Sequence, residues 1–334
     1  MKNKVVLSVL IASILLGACG DANPTEQTLD PVLITYSKRI SYAPIFIAEA
    51  EGYFKEFGIQ LVPTDFDNSS QAVALIVSGD TDVLTGVLNA GLLNVLSLDP
   101  NIKVVADRGH IAIEDDCTYQ GILVRKDLFE NGMITSAGDL KGQVISTGQS
   151  GPDGFVFSSY LAQGGLTFED VNLVDLPKSA VVDAFKNKTI VAVHLPEPDL
   201  TTVLSAGDSV MLTSDEGVVG TLQSGVVAFG KKLLVDNPEL GARFLAAYLK
   251  GIKQYNEGKT ERNVEILSDS LGISPDLLIV GCWPNIRLDG SIDFKGVDPF
   301  QSWSIENGFL DKAVTQEQFY DPSFLEAAQI LLNN

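Results

Sequence analysis

The stretch of residues 32–62 (VLITYSKRISYAPIFIAEAEGYFKEFGIQLV) constrains the fold of this chain most strongly. Its first residues, 32–36, form an apolar, β-branched run that predicts a buried strand. Pro44 suits the first turn of a helix, and Gly58 suits the left-handed cap that ends it before a second strand. Such a unit is typical of a parallel α/β sheet, in which ligands bind at the carboxyl ends of the strands. We therefore expect residues 38–44, the loop before the helix, to form one wall of a ligand cleft.

The same alternation of short apolar runs and helical stretches continues along the chain and divides it into two α/β lobes. The pattern predicts lobe 1 over residues 31–120 and lobe 2 over residues 121–222. Residues 223–334 return to lobe 1 and are largely helical. The apolar segments 120–125 and 225–230 are interpreted as the two crossings between the lobes. Two crossings predict a hinged clamshell that closes around a ligand.

Three polar segments between predicted elements are interpreted as loops. Residues 107–119 follow an apolar run and show little periodicity, residues 148–154 (GQSGPDG) are rich in glycine, and residues 194–198 (HLPEP) follow a strand predicted at 190–193. The last two of these loops are expected to face the cleft from lobe 2.

The first 30 residues stand apart from this pattern. Two lysines, a short apolar run and small residues before Cys19 have the organisation of a secretory signal, so we expect residues 1–18 to be removed. The sequence LGAC at 16–19 resembles a bacterial lipobox, which implies a lipid-modified Cys19. An ordinary signal peptide with a chance cysteine is the alternative. Polar residues 19–30 are interpreted as a tether.

Charge and histidine content argue against several function classes. The formal net charge is −20 and lysines and arginines form no cluster, which disfavours nucleic acid as a partner. With only His110 and His194, a metal cluster or a Ser-His-Asp triad is hard to assemble. We therefore expect no cofactor, no metal site and no catalytic residue. Cys117 and Cys282 could pair outside the cytoplasm, but their separation leaves this open.

Six short motifs occur in an order that resembles one family. They are AEAEGYFKEFG at 48–58, SGDTD at 78–82, GILVRKD at 121–127, DLKG at 139–142, Glu197-Pro198, and FGKKL at 229–233 with the helix predicted from Pro238. Together they resemble the periplasmic binding proteins for alkanesulfonates, taurine, nitrate and thiamine-pyrimidine precursors, and the related pyrimidine synthases. The resemblance implies an α/β, two-lobed type II binding-protein fold.

The resemblance also implies a function. It indicates an extracytoplasmic substrate-binding lipoprotein, monomeric and anchored to a bacterial membrane through Cys19, that delivers a small organic solute to the permease and ATPase subunits of an ABC importer. An aminated heteroaromatic solute, such as a thiamine-pyrimidine precursor, is the first expectation. An alkanesulfonate, a taurine-like compound or another small anion is the alternative. A pyrimidine-synthase-like enzyme and a surface scaffold are the competing classes.

Ten residues are expected to contact the ligand. The strand-end rule and the resemblance both place nine of them on loops near the cleft, and Trp283 could reach it from the returning segment. These residues are Tyr42, Asn68, Ser69, Ser70 and Asn89 in lobe 1, Ser150, Gly151, His194 and Glu197 in lobe 2, and Trp283 in the returning segment. Tyr42 is expected to stack on a flat ligand and Glu197 to meet a ligand amine. Lys38 and Arg39 favour an anion instead. Structural roles are the alternatives: packing for Tyr42, helix capping for residues 68–70 and Asn89, a structural role for His194, core packing for Trp283 and an ion pair within the hinge for Glu197.

Overall fold

The computed structural model describes residues 28–66, 68–112 and 117–333. The predicted signal peptide (residues 1–18), Cys19 and most of the tether lie outside the described residues. None of the helices in the described part of the chain is long and apolar enough to cross a membrane.

The described residues form two mixed five-stranded sheets. The strands are β1 (Asp30–Thr35), β2 (Ile59–Pro63), β3 (Val83–Val87), β4 (Lys103–Ile111), β5 (Gln120–Arg125), β6 (Val144–Ser146), β7 (Asn172–Val174), β8 (Ala192–Pro196), β9 (Ser209–Ser214) and β10 (Leu222–Phe229). The first sheet has the order β2-β1-β3-β10-β4 and the second the order β7-β6-β8-β5-β9. In each sheet the parallel strands are joined by an antiparallel crossing strand, β10 in the first and β5 in the second.

Helices cover both sheets. They are α1 (Ala43–Ala50), α2 (Tyr53–Glu56), α3 (Ser69–Ser78), α4 (Ala90–Leu98), α5 (Lys126–Glu130), α6 (Pro152–Gln163), α7 (Val181–Lys186), α8 (Asp199–Ser205), α9 (Asp215–Val219), α10 (Pro238–Tyr255), α11 (Glu261–Leu271), α12 (Pro275–Val280), α13 (Asp298–Glu306), α14 (Gln316–Phe319) and α15 (Ser323–Asn333). We call the part built on the first sheet lobe 1 and the part built on the second sheet lobe 2. The chain leaves lobe 1 after β4 and returns through β10, which confirms the predicted two-lobed α/β clamshell with two crossings.

The opening strand–helix–strand unit forms with one difference from the prediction. Pro44 lies in the first turn of α1, where its missing N–H leaves no intrahelical bond unmade. Gly52 then adopts a left-handed φ of 77° and divides the predicted single helix into α1 and α2. Gly58, at a φ of 71°, turns the chain into β2.

The core of lobe 1 is organised around α10, the longest helix of the described chain. Phe244 and Tyr248 are fully buried on its inner face, and the helix packs against α1 and α15. At the crossing with α1, a Cβ on Gly251 would lie 2.2 Å from the carbonyl oxygen of Pro44. A larger residue there would force the two helices apart, so glycine sets their spacing.

Two strands extend into segments that were predicted to be loops. β4 continues through the polar residues 107–110 to Ile111, and β8 includes His194 and ends at Pro196. These predictions were wrong because buried polar side chains in the strands find partners inside the protein. The Asp107 carboxylate accepts hydrogen bonds from the backbone N–H of Gly109 and the side chain of Gln223, both at 2.8 Å. A polar run therefore does not indicate a loop when its side chains have hydrogen-bond partners inside the protein.

A disulfide links the first crossing to the returning part of lobe 1. Cys117 pairs with Cys282, with their Cα atoms 5.6 Å apart. The sequence left this pairing open, and the fold decides it by bringing the segment after α12 against the chain that enters β5. His110 extends the same contact, since its backbone N–H donates to the carbonyl of Asn285 at 3.0 Å.

Candidate ligand-binding cleft

A cavity of about 440 Å³ lies between the two lobes. In lobe 1 its wall comes from β3, the loops after β1, β2 and β3, the start of α3, the far end of β4 and the start of β10. In lobe 2 it comes from the loop after β6, the start of α6 and Pro196 at the end of β8. The volume falls in the range of small-molecule binding sites, and the cavity lies where the strand-end rule places ligands in α/β folds.

Five of the ten predicted site residues line this cavity: Tyr42, Asn68, Ser69, Asn89 and Gly151. The two asparagines also cap helices. The Asn68 side chain accepts from the backbone N–H of Gln71 at 3.0 Å, and that of Asn89 accepts from Leu92 N–H at 2.9 Å. Capping thus engages the side-chain oxygen of each asparagine. A ligand contact by any of the five residues stays a prediction.

The other five predicted residues lie outside the cavity lining. They are Ser70, Ser150, His194, Glu197 and Trp283. Ser70 and Ser150 are exposed neighbours of lining residues. Trp283 packs instead on lobe 1: its ring stacks on Tyr255 with centroids 5.4 Å apart, and its indole N–H donates to the Leu278 carbonyl at 3.0 Å. The structure therefore gives Trp283 the core-packing role.

Glu197 has a structural role at the junction of the lobes. Its carboxylate accepts from the hydroxyl of Thr201 at 2.6 Å and from the backbone N–H of Thr201 at 3.1 Å, in the first turn of α8. The N–H of Cys282, in lobe 1, lies 3.4 Å from the same carboxylate. The side chain is buried among these backbone partners, so the expected contact with a ligand amine is not supported. Its partners are also not the lysine or arginine of the alternative interpretation.

His194 lies behind the lobe 2 wall of the cavity. Its Nε2 is 2.8 Å from the buried carboxylate of Asp215, and its Nδ1 is 3.6 Å from that of Asp153, which lines the cavity. Burial by itself would lower the pKa of His194, but the two carboxylates outweigh it and raise the pKa to about 10. The two carboxylates therefore favour the protonated form of His194, which lies between the parts of lobe 2 that carry Asp153 and Asp215.

The most informative residue of the cavity wall is Arg108, which the sequence analysis did not single out. Its side chain is 2 % exposed yet lines the cavity. Nε donates to the carbonyl of Gly86 at 3.1 Å and Nη1 to the carbonyl of Ser41 at 3.2 Å. Its guanidinium carbon lies 4.4 Å from the centre of the Tyr42 ring. The sequence signal was weak, because Arg108 lies in the polar stretch that was predicted to be a loop.

Tyr119 was also missed, and it adds a further aromatic ring to the cavity wall, beside those of Tyr42 and Phe66. It lies on the first crossing, where its carbonyl accepts from the N–H of Glu197 at 2.9 Å. Burial raises the pKa of Tyr119 to about 12, against the opposing effect of the nearby Arg108 cation. Its phenol is therefore a neutral group beside Ser41 in the wall.

The sequence profile described as NMT1/THI5 like matches residues 39–258, which is more than half of the chain. The chain belongs to this family. The riboflavin-binding protein RibY of Chloroflexus aurantiacus is 23% identical to it over 271 residues, or 75% of this chain and 74% of RibY. The match confirms the family that the six motifs suggested.

Solved structures confirm the fold. The periplasmic aliphatic sulphonate binding protein SsuA of Escherichia coli superposes with a TM-score of 0.70 at 15% identity, covering 87% of this chain and 92% of SsuA. The desulfurization enzyme DSZB superposes with a TM-score of 0.68 at 14% identity, covering 90% of this chain and 99% of the enzyme. The chain therefore has the two-lobed fold of ABC-importer solute-binding proteins, a fold that also occurs in an enzyme.

Proposed function

We propose that this protein is the solute-binding lipoprotein of an ABC importer and captures a small organic solute by closure of its two lobes. The observation that carries the proposal is the cavity of about 440 Å³ to which both lobes contribute. A solute held from both sides stabilises the closed state over the open one, and this difference is what a transporter partner can recognise. The family and the fold support the same role.

Anchoring and partners follow from the N-terminal sequence and the family. Lipid attached at Cys19 would hold the protein on the extracytoplasmic face of a bacterial membrane, with residues 19–30 as the tether. The permease and ATPase subunits of the importer are the proposed protein partners. We expect a Cys19→Ser protein to be released in soluble form and to bind its solute unchanged. Fractionation after expression with its own signal peptide checks this, and a membrane-bound variant would contradict lipidation.

Two solute classes compete at the cavity. A heteroaromatic solute is supported by the rings of Tyr42 and Tyr119 in the cavity wall. The relative RibY is named a riboflavin-binding protein, and riboflavin is such a compound. The aminated form of that solute loses its main support, since Glu197 is engaged elsewhere. An anion is supported by Arg39 and Arg108, both of which line the cavity. Lys38 does not line it.

An enzyme related to DSZB is the second candidate function. The positions of the two histidines, the side chains best suited to acid–base catalysis, disfavour this function. His110 is bound to the buried carboxylate of Asp107 at 2.8 Å, and His194 is bound to Asp215. Neither histidine lines the cavity, so neither reaches a bound solute in this conformation.

Small-angle scattering combined with a thermal-shift screen tests the proposed function. The screen uses pyrimidines, flavins, amines, sulfonates and small inorganic anions. A true ligand at about 100 times its dissociation constant stabilises the folded state by about 2.7 kcal/mol, and the same compound should reduce the radius of gyration. Turnover of a compound would favour an enzyme. Stabilisation without compaction would contradict capture by lobe closure.

A further inference from the structure

We propose that Arg108 binds a negatively charged group of the solute, so that the solute of this cavity is an organic oxyanion. The inference rests on the proposed function, because it assumes that the cavity between the lobes is the solute site. It goes further by naming the chemical class and the residue that selects it.

Arg108 carries a positive charge at the cavity wall. Its guanidinium is almost fully buried, and no carboxylate of the described residues lies within 4 Å of it. The nearest acid in sequence, Asp107, is engaged by His110 and by the backbone N–H of Arg287 at 2.8 Å. A buried cation without a counter-ion is costly, and a cavity beside it is the place from which the counter-ion can come.

The guanidinium of Arg108 is held in one orientation by its neighbours in lobe 1. The two carbonyl hydrogen bonds use Nε and Nη1, and stacking on Tyr42 fixes the plane of the group. Gly225 supports the same arrangement, since a Cβ there would lie 2.7 Å from Nη2. A planar fork held in this way is preorganised for an oxyanion, which accepts from two N–H groups at once. A lysine at this position would supply the charge without the fork.

The rest of the cavity suits the organic part of such a solute. Its volume suits an organic compound rather than a bare ion. The apolar side chains of Phe66, Ala72, Val73 and Leu84 line the same cavity in lobe 1. An apolar or aromatic body can lie against them while its acidic group meets Arg108. Sulfonates, carboxylates and phosphate monoesters share this chemistry.

Calorimetry with matched pairs of probes tests the inference. Each pair differs in the charge of one group: benzenesulfonate and benzenesulfonamide, benzoate and benzamide, flavin mononucleotide and riboflavin. We expect at least one charged member to bind at least tenfold more tightly than its neutral counterpart. Arg108→Gln should abolish that preference, and Arg108→Lys should retain part of it. Arg262→Gln removes a charge on the exposed face of α11, remote from the cavity lining, and is the control that should leave the affinity for both members of each pair unchanged.

The outcomes separate the inference from the proposed function. Equal or tighter binding of the neutral members, with compaction in scattering, would overturn the oxyanion assignment and leave the receptor in place. Absence of binding and of compaction for every compound in these pairs and in the wider screen would overturn both. Because Arg108→Gln could misfold, circular dichroism checks each variant. The affinity of the unmodified protein for the charged member should also fall as salt rises, and a salt-independent affinity would count against the inference.

Discussion

The guanidinium carbon of Arg108 lies 4.4 Å from the centre of the Tyr42 ring. This contact joins the end of β4 to the loop that precedes α1, two parts of lobe 1 that are distant in sequence. It offsets part of the cost of the buried charge, since the face of an aromatic ring attracts a cation and stacking limits its movement. The pair thereby forms a rigid, positively charged part of the cavity wall.

The ring of Tyr42, rather than its hydroxyl, should be the important part of this residue. The hydroxyl donates only a long hydrogen bond of 3.4 Å to the Thr85 carbonyl. We expect Tyr42→Phe to change the free energy of unfolding by less than about 1 kcal/mol. Tyr42→Leu removes the cation–π contact and should cost about 1–2 kcal/mol more than Tyr42→Phe. Urea denaturation measures both, and equal losses would show that the stacked ring contributes nothing.

Glu197 should contribute to stability and not to solute affinity. Glu197→Ala removes the acceptor of three donors, two on Thr201 and one on Cys282, so we expect a loss of about 1–3 kcal/mol. Glu197→Gln keeps an acceptor oxygen and should cost less. Calorimetry with any solute found in the screen should give an unchanged affinity for Glu197→Gln. A large loss of affinity at unchanged stability would restore Glu197 to the binding site. Glu306→Ala, at an exposed position of α13, is the control.

The disulfide should stabilise the protein substantially. Cys117 and Cys282 are 165 residues apart in sequence, and closing a loop of that length removes much entropy from the unfolded chain. Chain-entropy reasoning gives about 5 kcal/mol, and native disulfides typically contribute 2–5 kcal/mol. We expect the melting temperature to fall on reduction. The double variant Cys117→Ser/Cys282→Ser should melt at the reduced protein's temperature and should not respond to reductant.

His194 should make stability depend on pH on the alkaline side of neutrality. Its pKa is raised to about 10 from an ordinary 6.5 by the flanking carboxylates of Asp215 and Asp153, against the effect of burial. The stabilisation from its charge is therefore complete below about pH 6.5 and is lost as pH rises through about 10. Denaturation at pH 6, 8 and 10 measures it.

The control for this prediction is the double variant His194→Gln/Asp215→Asn, which replaces the buried ion pair with two neutral amides. The difference in the free energy of unfolding between the unmodified protein and this variant should become smaller as pH rises from 6.5 to 10. If the two proteins show parallel pH dependence across this interval, the charge on His194 is not a source of stability.

The sequence located most of the secondary structure, because local signals specify it. The strand β6 and the helices α4 and α12 each cover a run of residues whose periodicity and turn signals are local. Both α4 and α12 begin where a capping side chain, of Asn89 and of Ser274, accepts from the helix's first turn. Failures occurred in β4 and β8, where polar residues of a strand find their partners far along the chain.

The candidate site was predicted in part. Loop positions put Tyr42, Asn68, Ser69, Asn89 and Gly151 at the cavity, since strand ends meet at one edge of each sheet. The acidic residue expected to face the solute, Glu197, instead caps α8. Whether the Glu197 side chain faces the cavity or nearby backbone N–H groups depends on its direction and on neighbours such as Cys282. The sequence does not say where those neighbours lie.

The sequence alone determined the family, the α/β class and the two crossings, because hydrophobic period, turn chemistry and ordered motifs are local properties. Only the tertiary structure decided that Cys117 meets Cys282, that Glu197 is withdrawn from the cleft and that Arg108 enters its wall. These outcomes depend on contacts between residues far apart in the chain and on buried charge. A polar residue's role is set by the partner that the fold supplies, and no local pattern encodes that partner.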